Sequence, residues 1–74
     1  MNTNERSMNL AYNYAIINAN YRCTGCKTYS YEVPLDNFIP VPSIHDDYIG
    51  KYYNPADGLF YFELEYITVF DPEA

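Results

Sequence analysis

Cys23 and Cys26 are the two residues of this chain whose type and spacing most suggest chemistry. A Cys-x-x-Cys spacing can place two thiolates on one metal ion or form a redox pair. A closed tetrahedral zinc site needs four ligands, however, and the chain adds only one histidine, His45, and no third cysteine. A thioredoxin-like pair belongs to a βαβ unit, which the sequence does not show. We therefore predict a turn at Thr24-Gly25 with two free thiols, and keep a shared metal site and a redox pair as alternatives.

A second group of titratable side chains is His45-Asp46-Asp47. A histidine next to carboxylates could serve in acid–base catalysis or bind a cation, but catalysis also needs a nucleophile or a substrate pocket. A solvated polar loop is the simpler interpretation. The sequence has no glycine-rich phosphate loop, no Gly-x-Ser-x-Gly and no His-Glu-x-x-His. We predict no catalytic residue, no metal site and no cofactor, and we expect that the protein is not an enzyme.

Tyrosine is the most unusual feature of the composition, with 10 residues among 74. One small core cannot use that many rings, and the hydroxyl of a tyrosine favours contact with water or a polar partner. The predicted interface residues, which flank one hairpin, are Tyr48, Tyr52, Tyr53 and Tyr61. An exposed cluster there would bind a protein or stack against a sugar. The alternative is cross-strand pairing that only stabilises the hairpin, by about 0.2–1 kcal/mol per pair.

The elements that carry these residues are predicted from apolar residues that recur at every second position. This pattern indicates a mainly β fold, a small single domain made of an antiparallel sheet of hairpins. A strand is predicted over Tyr12–Ile17, a tight reversal at Asn18-Ala19-Asn20, and a returning strand at Tyr21–Cys23. A further half-buried strand is predicted to follow Cys26 and to end before Pro34.

The second half of the chain alternates as well. Prolines at 40 and 42 limit the stretch Phe38–Ile44 to an edge strand or an extended connector. Two arms, 48–53 and 59–62, flank Asn54-Pro55-Ala56-Asp57-Gly58, where proline presets a turn and glycine takes a positive φ. The second arm is expected to extend as far as Phe70 with one core-facing side, formed by Phe60, Phe62, Leu64 and Tyr66.

Length and charge limit the remaining possibilities. We predict a flexible N-terminal arm over residues 1–10, a single β domain over 11–70 and a polar tail over 71–74. The net charge of −6 disfavours direct binding to nucleic acid or to an anionic membrane. No apolar run approaches the ~20 residues of a membrane span, and residues 1–9 lack the apolar core of a secretory signal. Synthesis in the cytoplasm is expected.

Two segments resemble small bacteriophage tail or virion accessory proteins. Tyr14-Ala15-Ile16-Ile17-Asn18-Ala19-Asn20 is similar to their opening strand and Asn-rich turn. Residues 48–60, from Tyr48-Ile49-Gly50-Lys51 to Gly58-Leu59-Phe60, resemble a hairpin of tail-fibre and neck-appendage modules. The resemblance implies a structural protein located in the virion, with other virion proteins as partners and a homo-oligomer as a further alternative. It carries over no catalytic residue.

A different interpretation starts from the acidic residues. A small acidic phage protein could inhibit a host nucleic-acid enzyme by imitating phosphates with its carboxylates. The candidate carboxylates are those of Glu32, Asp36, Asp46, Asp47, Glu63 and Glu65. They are scattered along the chain and interrupted by Lys27 and Lys51, which favours ordinary solubility over mimicry.

Overall fold

The computed structural model of the chain describes residues 11–72. This part of the chain forms six β-strands and one short 3₁₀ helix, arranged as two three-stranded antiparallel sheets. The predicted mainly β, antiparallel fold is confirmed. The predicted arm at 1–10 and residues 73–74 of the predicted tail lie outside the described residues. Within residues 11–72 no helix has the length and apolar character needed to cross a membrane.

The first sheet has the order β2-β1-β3. Its central strand β1, Tyr12–Ile17, pairs with β2, Cys23–Tyr29, and with β3, Phe38–Pro40. β3 pairs with β1 alone, so the prediction of an edge strand in this proline-flanked stretch is confirmed. The prediction that the strand after Cys26 continues as far as Pro34 is wrong, because β2 ends at Tyr29.

The reversal between β1 and β2 is confirmed at residues 18–20. The Asn18 side-chain oxygen accepts hydrogen bonds from the backbone N–H groups of Asn20 (2.9 Å) and Arg22 (3.1 Å). Asparagine favours such turns because its side chain can bond to the backbone a few residues further on. The residue with a left-handed backbone is Tyr21, at φ 62°, which follows the three predicted turn residues.

The predicted turn at Cys23–Cys26 is wrong, because both cysteines lie inside β2. Ile16 pairs with Gly25 while Ile17 pairs with Cys23, so Thr24 is an extra residue in a β-bulge. Residues three apart in a regular strand point to opposite faces. The bulge changes this alternation, and both cysteines pack in the core.

The second sheet has the order β4-β5-β6, with β4 at Tyr52–Asn54, β5 at Leu59–Tyr61 and β6 at Val69–Phe70. The predicted strand over 48–53 begins only at Tyr52. Before it, Asp46–Tyr48 form a 3₁₀ helix that turns the Tyr48 ring into the core.

The predicted turn between β4 and β5 is confirmed. The Asn54 side chain accepts a hydrogen bond from the Ala56 N–H at 2.9 Å, and the Asp57 carboxylate accepts one from the Leu59 N–H at 2.9 Å. Gly58 closes the turn at φ 76°, and its N–H donates to the Asn54 carbonyl at 2.8 Å.

We expect Gly58→Val to lower the free energy of unfolding by about 1–2 kcal/mol, because a β-branched side chain resists positive φ. No atom lies within 4 Å of the added Cβ, so the cost comes from the backbone alone. Gly25→Val is the matched control, since its Cβ also meets open space and no positive φ is involved. Urea denaturation of both variants measures the difference, and equal midpoints would contradict the turn assignment.

The prediction of one long strand from Leu59 to Phe70 is wrong, because β5 ends at Tyr61. The chain leaves the sheet at Phe62, reverses, and returns as β6. We call residues 62–68 the β5–β6 loop. Phe62 and Leu64, predicted to face the core, are exposed instead.

The core joins residues of both sheets. Ala15, Ile17 and Cys23 come from the first sheet, whereas Tyr48 and Phe60 come from the second half of the chain. The Tyr48 ring packs edge-on against Phe60, with ring centroids 5.0 Å apart. This central contact holds β5 in place, and β5 leads directly into the β5–β6 loop.

Candidate docking surface on the β5–β6 loop

Three large apolar side chains of the β5–β6 loop face solvent within six residues. Phe62 is 52% exposed, Leu64 is 58% exposed and Ile67 is 72% exposed. Single exposed apolar residues are normal on a protein surface, but a local group of them is typical of a binding site. This loop is therefore the candidate functional site.

The loop is closed by hydrogen bonds between its own residues. The Phe62 N–H donates to the Thr68 carbonyl at 2.9 Å, and the Thr68 N–H donates to the Glu63 carboxylate at 2.7 Å. The Tyr66 N–H donates to the Glu63 carbonyl at 3.1 Å. With these polar groups bonded inside the loop, Leu64 and Ile67 are held on the outside.

Tyr66 fixes the loop to the second sheet. Its hydroxyl donates to the Tyr53 carbonyl at 2.9 Å, and its ring lies 5.3 Å from that of Tyr61. Its backbone is left-handed, at φ 59°, a conformation that costs a non-glycine residue about 1–2 kcal/mol. Such strain persists only where the surrounding contacts maintain it, as the hydrogen bond to Tyr53 and the contact with Tyr61 do here.

Phe62 connects the loop to the body of the second sheet. Its ring packs edge-on against Phe70 with centroids 5.6 Å apart. The Lys51 ammonium lies 4.9 Å from the centre of the Phe62 ring and 4.8 Å from that of Phe70. The same ammonium donates to the Asp47 carbonyl at 2.8 Å. Lys51 is thus engaged in contacts within the protein.

The electrostatic character of this region is acidic. Residues 59–72 include Glu63, Glu65 and Asp71 but no lysine or arginine. Even when the nearby Lys51 ammonium is included, the region has three negative charges and one positive charge. A partner surface that combines an apolar area with basic groups would be complementary to it.

The Glu63 carboxylate makes the loop sensitive to acid. Hydrogen bonds from Thr68 lower the pKa of Glu63 below its usual 4.5. A carboxyl group with a lowered folded-state pKa stabilises the fold above its unfolded pKa, and this contribution is lost as the pH falls through the folded pKa. We expect the loop to loosen in that range.

The Thr68 amide proton should report this titration in an NMR series, with a midpoint below pH 4.5. Glu63→Gln is the control, since an amide is similar in shape but does not titrate. A Thr68 midpoint at or above 4.5, or an unchanged titration in the variant, would contradict the role of the carboxylate.

The structure does not bring the four predicted interface tyrosines together as an exposed cluster. Tyr48 and Tyr61 are buried, and Tyr52 and Tyr53 are half-buried. Tyr52 and Tyr61 face each other across β4 and β5, as expected for cross-strand pairing. The expected exposure is therefore wrong for Tyr48 and Tyr61, and an interface at Tyr52 and Tyr53 stays a prediction.

The half-buried tyrosines also have their rings partly covered. The Arg22 guanidinium lies 5.8 Å from the centre of the Tyr52 ring, and the Tyr53 ring packs against Phe60 at 5.1 Å. A sugar-stacking platform needs an open ring face, so the geometry disfavours this alternative.

The two cysteines are free thiols in a structural setting. Burial, and then the neighbouring Cys23 thiol, raises the pKa of Cys26 to about 11. A thiol with such a pKa is protonated at neutral pH and is a poor nucleophile. Within residues 11–72 no group of three or more histidine, cysteine or acidic side chains is placed to hold a metal ion.

Sequence reasoning missed Leu64 and Ile67 as site residues. The stretch Phe62-Glu63-Leu64-Glu65-Tyr66 alternates like a strand, so Leu64 was expected to face the core. No glycine, proline or asparagine marks the reversal. The bond from the Thr68 N–H to the Glu63 carboxylate that closes it has no recognised sequence signature.

Comparison of the chain with family models, with curated proteins and with solved structures found no match.

Proposed function

We propose that this protein is a non-catalytic accessory protein that docks onto a larger protein assembly through the β5–β6 loop. The observation that carries the proposal is the exposure of Leu64 and Ile67 at 58% and 72% on a loop closed by its own hydrogen bonds. Apolar side chains held outward in this way are available to a partner and leave the protein's own core intact.

The construction of the loop favours binding on energetic grounds. Ordering a mobile loop on association costs free energy, and a loop already held in its bound shape avoids much of this cost. Tyr66 and Glu63 hold the loop from inside, while burial of each outward aliphatic side chain contributes about 25 cal/mol per Å² of apolar area. Tight binding through few residues is the expected result.

The assembly that we propose is a bacteriophage virion or tail. Support comes from the resemblance of residues 14–20 and 48–60 to small virion accessory proteins. Those residues contain most of β1 with its turn, all of β4 and the first two residues of β5, the strand that leads into the docking loop. Other virion structural proteins are the proposed partners.

The alternative role as an acidic inhibitor depends on carboxylates from several separate segments of the chain. Glu63, one of the proposed phosphate mimics, is bonded to Thr68 inside the loop. Glu32 follows β2, whereas Asp46 and Asp47 lie in the 3₁₀ helix. Within residues 11–72 these carboxylates lie on different segments, and no feature aligns them in a row that would imitate a series of phosphates. The inhibitor hypothesis is therefore one possible outcome of the following test.

The test is capture of partners by the tagged protein from a lysate of phage-infected cells, at about 0.1 M and about 1 M salt, with mass spectrometry of the bound proteins. Apolar docking survives the higher salt, where the Debye length falls from about 10 Å to about 3 Å. We expect tail or capsid proteins to be retained at both concentrations. A host nuclease or polymerase captured only at low salt would overturn the proposal in favour of the inhibitor.

A further inference from the structure

The second sheet has one edge that the described chain leaves open. The outer edge of β4 is covered, because the Tyr53 N–H donates to the Tyr21 carbonyl and the Cys23 N–H donates to the Lys51 carbonyl, both at 2.8 Å. The other outer strand is β6, and in residues 11–72 no strand pairs with its far side. An open edge presents backbone groups to which another chain can pair.

The hydrogen-bond register shows which β6 groups point outward. The Phe62 N–H bonds to the Thr68 carbonyl, and Tyr61 pairs with Val69. Hydrogen-bonded and non-bonded pairs alternate along an antiparallel ladder. The pair Tyr61–Val69 is therefore the non-bonded one, and the N–H and carbonyl of Val69 point to the open edge.

An apolar cleft of about 270 Å³ lies beside this edge. The residues that line it include Tyr48, Phe60, Val69, Phe70 and Asp71. This volume is below the ~300–1,000 Å³ of sites that hold a whole small molecule. It suits one or two side chains of a strand that pairs with β6.

Charge decides between a second copy of this chain and a different partner. Two copies paired through β6 would bring together two molecules of net charge −6, each with Asp71 beside the edge. Like charges across an interface oppose association. A basic segment is attracted to the same place.

We infer that β6 binds an extended segment of a partner protein, which pairs with the backbone of Val69, places an apolar side chain in the cleft and carries flanking lysine or arginine. This inference rests on the proposed docking function and adds the chemistry of the partner. Strand addition of this kind takes affinity from main-chain bonds and specificity from side-chain pockets.

The probe is a fluorescent heptapeptide in which lysine alternates with valine and leucine, titrated with the full chain and followed by fluorescence anisotropy. The same peptide, N-methylated at the backbone nitrogens of its edge-facing residues, keeps the charge but cannot form the strand. We expect it to bind about tenfold more weakly, because the hydrogen bond that a peptide N–H donates to the Val69 carbonyl is lost.

The chain supplies a second, independent comparison. Val69→Pro removes the outward N–H, which β5 does not use, whereas Val69→Thr keeps that N–H and the β-branched shape. We expect weaker peptide binding for the proline variant only. Circular dichroism shows whether that variant folds, and the methylated peptide tests the inference on the wild-type chain if it does not.

Equal binding of the two peptides to the wild-type chain would overturn the inference, as would a dimer of the protein in sedimentation at the concentrations used. Neither result bears on the proposed function, which is tested separately and is contradicted if the captured proteins are not virion proteins. If the unmodified peptide binds more tightly than the methylated one but no virion protein is captured, the strand-binding site at β6 is supported and the virion role is rejected.

Discussion

Phe60→Ala is expected to lower the free energy of unfolding by about 3–5 kcal/mol, the cost of removing a buried aromatic ring. Phe60 is 6% exposed, and its ring contacts Tyr48 at 5.0 Å and Tyr53 at 5.1 Å. A chain of 74 residues has a total stability of only about 4–11 kcal/mol. The variant should therefore lose a large share of its stability, as measured by urea denaturation with circular dichroism.

Phe62→Ala is the matched control, because the same substitution is made two residues further along the chain. Phe62 is 52% exposed and contacts only Phe70 and Lys51 among the ring and cation partners described. We expect a loss of at most about 1 kcal/mol. The strand predicted from the sequence gave both rings the same core face, so equal losses would contradict the observed end of β5.

Leu64→Asp is expected to weaken binding to the captured partner by at least about 30-fold, or about 2 kcal/mol, as for a central interface residue. The substitution places a carboxylate where an apolar contact is proposed, next to Glu63 and Glu65. Isothermal titration calorimetry with the purified partner measures the loss.

Leu35→Asp is the matched control, since Leu35 is 55% exposed and Leu64 is 58% exposed. Leu35 lies before β3 of the first sheet and outside the β5–β6 loop. We expect nearly unchanged affinity for this variant, and melting temperatures close to the wild type for both, because neither residue is buried. Equal effects of the two substitutions on affinity would show that the loop has no special role.

The sequence predicted those elements whose conformation is set by local chemistry. Proline at 55 and glycine at 58 encode the β4–β5 turn, and Asn18 encodes the turn after β1 through its side chain. Proline at 40 correctly limited β3 to an edge. In each case one residue type has a backbone preference strong enough to act without tertiary contacts.

The elements that were missed depend on tertiary contacts. The bulge at Thr24 inserts one residue into β2, where both cysteines pack in the core, and period-two reasoning cannot detect an inserted residue. The β5–β6 loop reverses through the Glu63–Thr68 hydrogen bond and the left-handed Tyr66, although its residues alternate like a strand. The proposed docking surface therefore cannot be inferred from the alternation alone, and the tyrosines that suggested an interface are mostly packed against other residues.

Hydrogen–deuterium exchange of the protein alone and in complex with the captured partner tests the central claim most directly, because it shows which part of the chain the partner covers. We predict that protection on binding is concentrated in peptides that contain residues 62–70, with little change over residues 28–37. Protection confined to the acidic segments around Glu32, Asp36 and Asp46, with residues 62–70 exchanging as in the free protein, would contradict the account.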